Sequence, residues 1–396
     1  ALAALPVRHE SLGARLVQHE GQPWLECGGP AGSLPVRSID CSRPPDDQTL
    51  AAVVAELGAQ LDPAAGLLAS AAVIKAADSI TYTVLVLHDL AADDVSWGIV
   101  AEDLATGYSQ PGAAAGALPT TLATIQQALS APIASAKAVA ITDRGQAEMF
   151  PAALPEPIAC QHFSSALDAR HSALALRELP TGYHLQTAEL LAILIAWAWP
   201  GQAPEIEVEG RQIQRLPELA DSRVVGCLST RTPVRLAITP GPLSLLLPGL
   251  KEQLRAQLAA GLTLEFGRDG ATAAPAATPA ITLRCMILPA GDHLIARDLT
   301  PVPPQIKPQG LDIRAVASAG QMRITWIFDP AAYRRADLEQ TAERLCAGLE
   351  QLAADLAGAE TPAYTPSDFP MAQLDPQKLN NLLSSINRSQ RRSHRE

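Results

Sequence analysis

The 396 residues carry 30 Lys and Arg against 41 Asp and Glu, a net charge of −11, with 47% hydrophobic and 4% aromatic residues. That length is enough for two compact lobes, whose cores Ala and Leu must fill in place of rings. The acidity argues against nucleic acid or an anionic membrane as partner. Six cysteines, Cys27, Cys41, Cys160, Cys227, Cys285 and Cys346, form no CxxC pair and have no His at ligand spacing. They read as reduced thiols of a cytoplasmic protein rather than a metal site or a disulfide framework. The longest apolar run, Leu190 to Trp199, is about half of the roughly 20 residues that a membrane-spanning helix needs and reads as a core helix.

In chain order, the opening ALAALPVRHESLGARLV reads as the end of an amphipathic helix, so the sequence is expected to begin inside a longer chain. Ile80 to His88 is rich in β-branched residues and predicts a buried strand. A polar loop, Asp89 to Asp94, leads into a helix from Val95. Ala113 to Ala136 predicts a helix, and the prolines of Pro151 to Pro157 mark a lobe boundary. The second half predicts a helix from Thr187 to Trp199, strands at 205–210 and 232–239, and a helix from Leu245 to Leu258 with Lys251, Glu252 and Arg255 on its polar side. Residues 271–280 read as a loose loop, 281–288 and 321–328 as strands, and Ala336 to Leu356 as an amphipathic helix with Leu338, Ala342, Leu345, Leu349, Leu352 and Leu356 on one stripe. The basic tail NRSQRRSHRE reads as a disordered linker. Irregular alternation of strands and helices predicts an α+β fold, with lobes at 1–165 and 166–375 and a polar tail at 376–396.

The informative segment is His88-Asp89-Leu90-Ala91-Ala92-Asp93-Asp94-Val95-Ser96-Trp97. It resembles the condensation superfamily of nonribosomal peptide synthetases, whose motif has two histidines, three variable residues, Asp and Gly, followed in epimerisation members by Val-Ser-Trp. His88 falls on the first histidine and Asp93 on the aspartate; Asp89 replaces the second histidine and Asp94 the glycine. Other segments follow in the family's order. RHESLGARL (8–16) resembles RHE-x-LRT-x-F, with Gly13 where an arginine is expected. VEGRQI (208–213) resembles a shortened EGHGRE with Glu209 as its first glutamate, and VVGCLSTRTPVRL (224–236) resembles VGWFTSLYPVRL with Cys227 for Trp and Thr232 for Tyr. LPGLKEQLR (247–255), AGLTLEFG (260–267), MRITWIFD (322–329) and TPSDFPMAQL (365–374) fit the remaining helix, turn, strand and exit segment. An NYLG-like segment is not recognisable around Arg284 to Pro289.

The resemblance implies two chloramphenicol-acetyltransferase-like lobes in a V, the first lacking its opening helix and strand. A tunnel between them would admit the phosphopantetheine arm of a peptidyl carrier protein, with no cofactor bound by the domain itself. His88, Asp89, Asp93 and Glu209 are the implied residues of a degenerate catalytic site. A His near pKa 6.5 suits α-proton transfer at neutral pH, whereas an ordinary Asp near 3.9 is a weak base. Crowding among Asp89, Asp93 and Asp94 is the one physical route to a raised carboxyl. In the family the aspartate is tied to an arginine; with Gly13 at that place, Arg15 and Arg235 are the expected replacements. His88 and Trp97 also read as packing residues and Ser96 as a helix start; Glu209 either caps a strand end or faces the tunnel. His162, His171 and His184 lack ligand spacing and are expected on the surface.

Three readings compete. The damaged motif fits a non-catalytic docking platform like the X-domains and interface domains that recruit tailoring oxygenases, a cytochrome P450 or a non-haem iron hydroxylase, to a carrier-bound peptide. Asp94 agrees with the X-domain pattern, while Asp89 does not match its arginine. The alternatives are an active epimerase using Glu209 with a retuned Asp89, and a remnant that spaces its neighbours.

Overall fold

A computed structural model describes residues 1–20, 22–27, 34–77, 80–110, 121–122, 124–125, 156–211, 222–266, 281–291, 294–295, 297–301, 303, 305–306, 310–358, 364–369 and 378. The predicted loop at 271–280, the basic tail and most of Ala113–Ala136 lie outside the described residues.

The opening segment forms short helical turns, Leu2–Ala4, Leu5–Arg8 and Glu10–Gly13, followed by an antiparallel hairpin of Arg15–His19 and Gln22–Glu26. A three-stranded sheet comes next. β1 (Val36–Cys41) runs parallel to β2 (Ala69–Ala76), which pairs antiparallel with β3 (Thr81–Leu87). β2 is buried almost throughout, and its alternate residues enter different cores: Ala69 and Ala71 pack with Leu5, Leu12 and Val100, while Ala72 and Ile74 pack with Leu50, Val53 and Leu57. The second core is closed by α1 (Asp47–Gly58), which starts where the Asp46 carboxylate accepts from Thr49 N–H at 2.9 Å. The first is closed by α2 (Asp94–Ser109).

The second half builds a six-stranded sheet in the order β4 (Gln161–Ala166), β9 (Gln321–Phe328), β8 (Leu311–Ser318), β7 (Ile281–Ile287), β5 (Glu205–Gly210), β6 (Thr230–Arg235). β8–β7 and β7–β5 are parallel and the other pairs antiparallel. The change from one sheet to the other thus falls before Gln161. One face is buried under α3 (Thr187–Ala198), α4 (Leu243–Phe266) and α5 (Arg335–Gly358), with Trp326, Phe328, Leu190, Ile193 and Leu349 at the centre. Beyond Glu189, helix α3 is apolar on every side because nearly all of it is buried, and no described helix is long and apolar enough to cross a membrane.

Helices α3 and α5 meet at Gly348, where a Cβ would lie 2.8 Å from Leu194 Cδ2 and 3.1 Å from the Trp197 ring. Gly348→Ala is therefore expected to destabilise the chain by about 1–3 kcal/mol through overpacking, despite a helix-propensity gain of about 1 kcal/mol. A lowered urea midpoint at unchanged m-value checks this, and an unchanged midpoint would refute it. At the sheet edge, Gln257 of α4 accepts from Arg235 N–H at 3.0 Å and donates to Arg235 O at 3.0 Å. One side-chain amide thereby satisfies both free backbone groups of an edge residue.

The polar side of α4 corrects the sequence reading, because Lys251 faces inward. It is 1% exposed and donates to Tyr183 O at 2.8 Å and to Asp368 Oδ2 at 2.7 Å. Arg255 reaches Asp368 Oδ1 at 2.7 Å, Ser367 Oγ at 3.0 Å and Glu189 Oε1 at 3.1 Å, and Glu252 accepts from Ser367 N–H at 3.1 Å. The exit segment is clipped to α4, and its Tyr364 ring stacks on His184 at 4.2 Å.

Candidate functional site

The site begins where β3 ends. His88 stays on the sheet through its N–H, which donates to Leu68 O at 2.8 Å, while Ala91 N–H donates to His88 O at 2.8 Å. Leu90 N–H donates to His88 Nδ1 at 3.1 Å, which requires the tautomer carrying its hydrogen on Nε2. The half-buried ring thus shapes the turn. Asp89, next in the turn, is exposed.

Asp93 ends the turn and caps α2. Its Oδ1 accepts from Ser96 N–H at 2.9 Å and Ser96 Oγ at 2.9 Å, and its Oδ2 from Leu228 N–H at 3.1 Å and Ser229 Oγ at 2.9 Å. Arg211 binds it bidentately, Nε to Oδ2 at 2.8 Å and Nη2 to Oδ1 at 2.8 Å. The guanidinium also donates to Val224 O at 2.6 Å and Ser96 Oγ at 2.7 Å. Burial alone would push the Asp93 carboxyl up, but Arg211 and Ser96 outweigh it and hold the group below the usual carboxylate range. The side chains of this pair are 1% and 3% exposed, and it joins α2 to the end of β5 and the 222–230 loop. Neither Arg15 nor Arg235, the partners expected from the sequence, takes this role. Arg15 lies against Gly66, and Arg235 pairs with Glu205 at 3.6 Å. Arg211 takes the place because β5 ends at Gly210, one residue before it.

Glu209 projects from the face of β5 opposite to Val208, and Arg231 stands directly across from it on β6. Arg231 Nε is 2.9 Å from Glu209 Oε2, and Arg284 Nε of β7 is 3.3 Å from the same oxygen. Asp94, at the start of α2, is coupled to this group. Its pKa is pushed up to about 6, by burial first and then by the charge of Glu209, with Arg284 pulling the other way and Asp93 and Asp298 adding to the rise. Crowding of carboxyls therefore acts on Asp94, and the partner with the largest effect is Glu209 from the far half of the chain. The Cys285 thiol is pushed up to about 12 by burial and then by Asp94, and the Cys227 thiol is raised by burial and then by Asp93, Glu209 and Asp89. Neither is a thiolate nucleophile at neutral pH.

The structure brings Asp93, Asp94 and Glu209 into one charged junction, while His88 and Asp89 occupy the turn beside it. Of the three histidines expected on the surface, His162 is exposed on β4, while His171, paired with Asp168 at 2.9 Å, and His184, stacked on Tyr364, are half-buried. Sequence reasoning missed Arg211, Arg231 and Arg284. Alternation along β5, β6 and β7 was the available signal, since it puts Glu209, Arg231 and Arg284 on the face away from the helices.

A second cluster supports the first. Asp103 of α2 is bound by Arg8 at 2.7 Å, His9 at 2.9 Å and Arg223 at 2.8 Å. Burial raises this carboxyl, but His9, Arg223 and Arg8 outweigh it and hold it at about 2. The polar part of RHESLGARL thereby anchors the same helix whose start carries Asp93 and Asp94. At Gly98 that helix comes so close to β7 that a Cβ would lie 3.2 Å from Ile287 O.

No family model matches the chain. Two of the linear gramicidin synthase proteins of Brevibacillus parabrevis are similar to it in sequence. The chain is 26% identical to one of them over 98% of its own length and 6% of that protein's. It is 27% identical to the other over 97% of its length and 8% of that protein's. The chain therefore spans less than a tenth of these curated relatives. Among solved structures, the epimerization domain from the third module of tyrocidine synthetase B superposes with a TM-score of 0.67 at 18% identity, over 90% of this chain and 89% of that one. The first condensation domain of the calcium-dependent antibiotic synthetase gives 0.61 at 20% identity, over 92% and 88%. The sheets and helices described above form the same mixed α+β fold as these epimerization and condensation domains, and the sequence likeness to the synthetase proteins extends over nearly the whole chain.

Proposed function

We propose that this is a degenerate, epimerisation-type domain that has lost catalysis and works by binding. It would hold a peptide carried on the phosphopantetheine arm of a carrier protein and dock a tailoring oxygenase, a cytochrome P450 or a non-haem iron hydroxylase, that acts on it. The observation that carries the reading is the engagement of Glu209. A general base must reach the proton it removes. Glu209 already has Arg231 at 2.9 Å and Arg284 at 3.3 Å on one of its oxygens, and would have to leave them. Asp89, in place of the second histidine, is exposed on the turn, and both oxygens of Asp93 are taken up by donors from Ser96, Arg211, Leu228 and Ser229. The residues that build the fold persist while those that would move a proton are replaced or tied. The net charge of −11 favours encounter with a basic patch on a partner.

One observation favours the epimerase instead. Asp94, with its pKa at about 6, is suited to exchanging a proton near neutral pH, and it stands beside Glu209. Deuterium wash-in at the α-carbon of an aminoacyl or peptidyl carrier protein separates the two readings. The expected result is exchange no faster than with carrier protein alone. Fast exchange that dies on Asp94→Asn or Glu209→Gln would establish an epimerase. Calorimetric titration against oxygenases encoded beside the synthetase gene, with carrier protein as control, is expected to show salt-sensitive binding to one of them. Binding to none would leave a spacer.

A further inference from the structure

The face of the six-stranded sheet away from α3, α4 and α5 carries one side chain per strand in a row. Glu209 pairs in register with Arg231, Arg284 with Arg314, Arg314 with Thr325, and Thr325 with Ser164. The ion pair between Arg284 and Glu209 closes the row. Arg284 and Arg314 are therefore direct neighbours on parallel strands, an arrangement of like charges that costs stability unless something lies between them. Glu209 offsets Arg231 and Arg284, and Asp312 offers Arg314 a contact of 3.4 Å.

The hydrogen bonds leave a more specific gap. The Nε of Arg284 and the Nε of Arg314 are both shielded from solvent, and neither has a hydrogen-bond acceptor among the described residues. Arg284 lies 3.3 Å from Glu209 without hydrogen-bonding geometry, and the contacts that Arg314 does make, to Pro301 O at 3.5 Å and Asp312 Oδ2 at 3.4 Å, are long. A buried N–H without an acceptor costs about 1–3 kcal/mol, and one on a charged group costs more. The side chains are nevertheless 29% and 21% exposed, so a ligand can reach the guanidinium heads.

We propose that Arg284 and Arg314 form a carboxylate subsite that takes an acidic side chain of the carrier-bound peptide. Guanidiniums on register-paired residues of neighbouring strands supply N–H donors from both sides, and a carboxylate has one oxygen for each. The subsite sits one strand from Glu209, so it would bind the peptide beside the tied centre rather than in it. This inference rests on the reading that the same face receives the peptide.

The test compares two amide-linked pantetheine probes on the whole domain by calorimetry: a glutaryl probe ending in a carboxylate, and its neutral isostere ending in a primary amide. The acid is expected to bind at least tenfold tighter. Arg314→Gln should bring the ratio close to one, Arg314→Lys should leave an intermediate ratio, and Arg235→Gln at the sheet edge should leave it unchanged. Equal binding of both probes to the parent domain overturns the subsite while leaving the peptide-binding reading intact. If neither probe binds, the peptide-binding reading fails, and free glutarate then decides the subsite: a thermal upshift in the parent that Arg314→Gln abolishes supports it, and no upshift rejects it.

Discussion

Replacing Arg211 by Met is expected to destabilise the chain by about 3–5 kcal/mol, the largest loss of any single change at the junction. A buried carboxylate that loses its guanidinium partner keeps its desolvation cost without the charge that offset it. Asp93 would still accept from Ser96, Leu228 and Ser229, but these are neutral donors and cannot replace a cation. Arg211→Lys should recover little, because an ammonium cannot span both carboxylate oxygens as the guanidinium does and also reach Val224 O. Pairing Arg211→Met with Asp93→Leu should recover part of the loss but not all, since the backbone N–H of Leu228 and of Ser96 would then lack an acceptor. Urea midpoints of the single and double variants give the comparison. A loss below about 1 kcal/mol for Arg211→Met would show that the cage is wet and that the pair contributes little.

The second expected result concerns Asp94 and pH. Its folded pKa of about 6 stands above the ordinary 3.8, so the folded chain holds this proton more tightly than the unfolded chain does. The stability linked to that proton is fully present below about pH 4 and is lost as pH rises through 6. Two units correspond to about 3 kcal/mol at most. Asp94→Asn carries no such proton, so the variant should gain on the parent between pH 4 and 6 and stay ahead by about 2 kcal/mol above pH 7. Urea unfolding of both proteins at pH 4.5 and 7.5 measures this, because groups that titrate alike in both cancel. A difference between variant and parent that is the same at both pH values would mean that Asp94 is better solvated than its position suggests.

How much was legible in the sequence depended on how far each interaction reaches. Strands β5 and β9 were readable end to end, since EIEVEG and QMRITWIF alternate or carry bulky β-formers. Strand β2, ASAAVIKA, escaped because alanine has little strand signal, although alanine is what a strand covered on both faces can use. Strand β8, LDIRAVAS, alternates buried and half-buried residues along its whole length, but two of its inward positions are Ala315 and Ala317, too small to register as hydrophobic beats. At the site, Asp93, Asp94 and Glu209 were readable as motif positions. The partner of Asp93 was not, because it depends on where β5 stops relative to a helix more than a hundred residues earlier in the chain. Lys251 was misplaced for a related reason: a lysine reads as solvent-facing until a distant carboxylate, here Asp368, makes its burial tolerable.

The clip between α4 and the exit segment also decides how mechanical load enters the domain. A pull on the chain beyond Phe369 meets Asp368 first, held by Lys251 at 2.7 Å and Arg255 at 2.7 Å, and Ser367, held by Glu252 at 3.1 Å. Tension is thereby passed sideways into the middle of a 24-residue helix packed on the sheet, instead of running back along the chain to peel α5 from its end. The two ion pairs bear that load together, because Lys251 and Arg255 each hold one oxygen of the same Asp368 carboxylate.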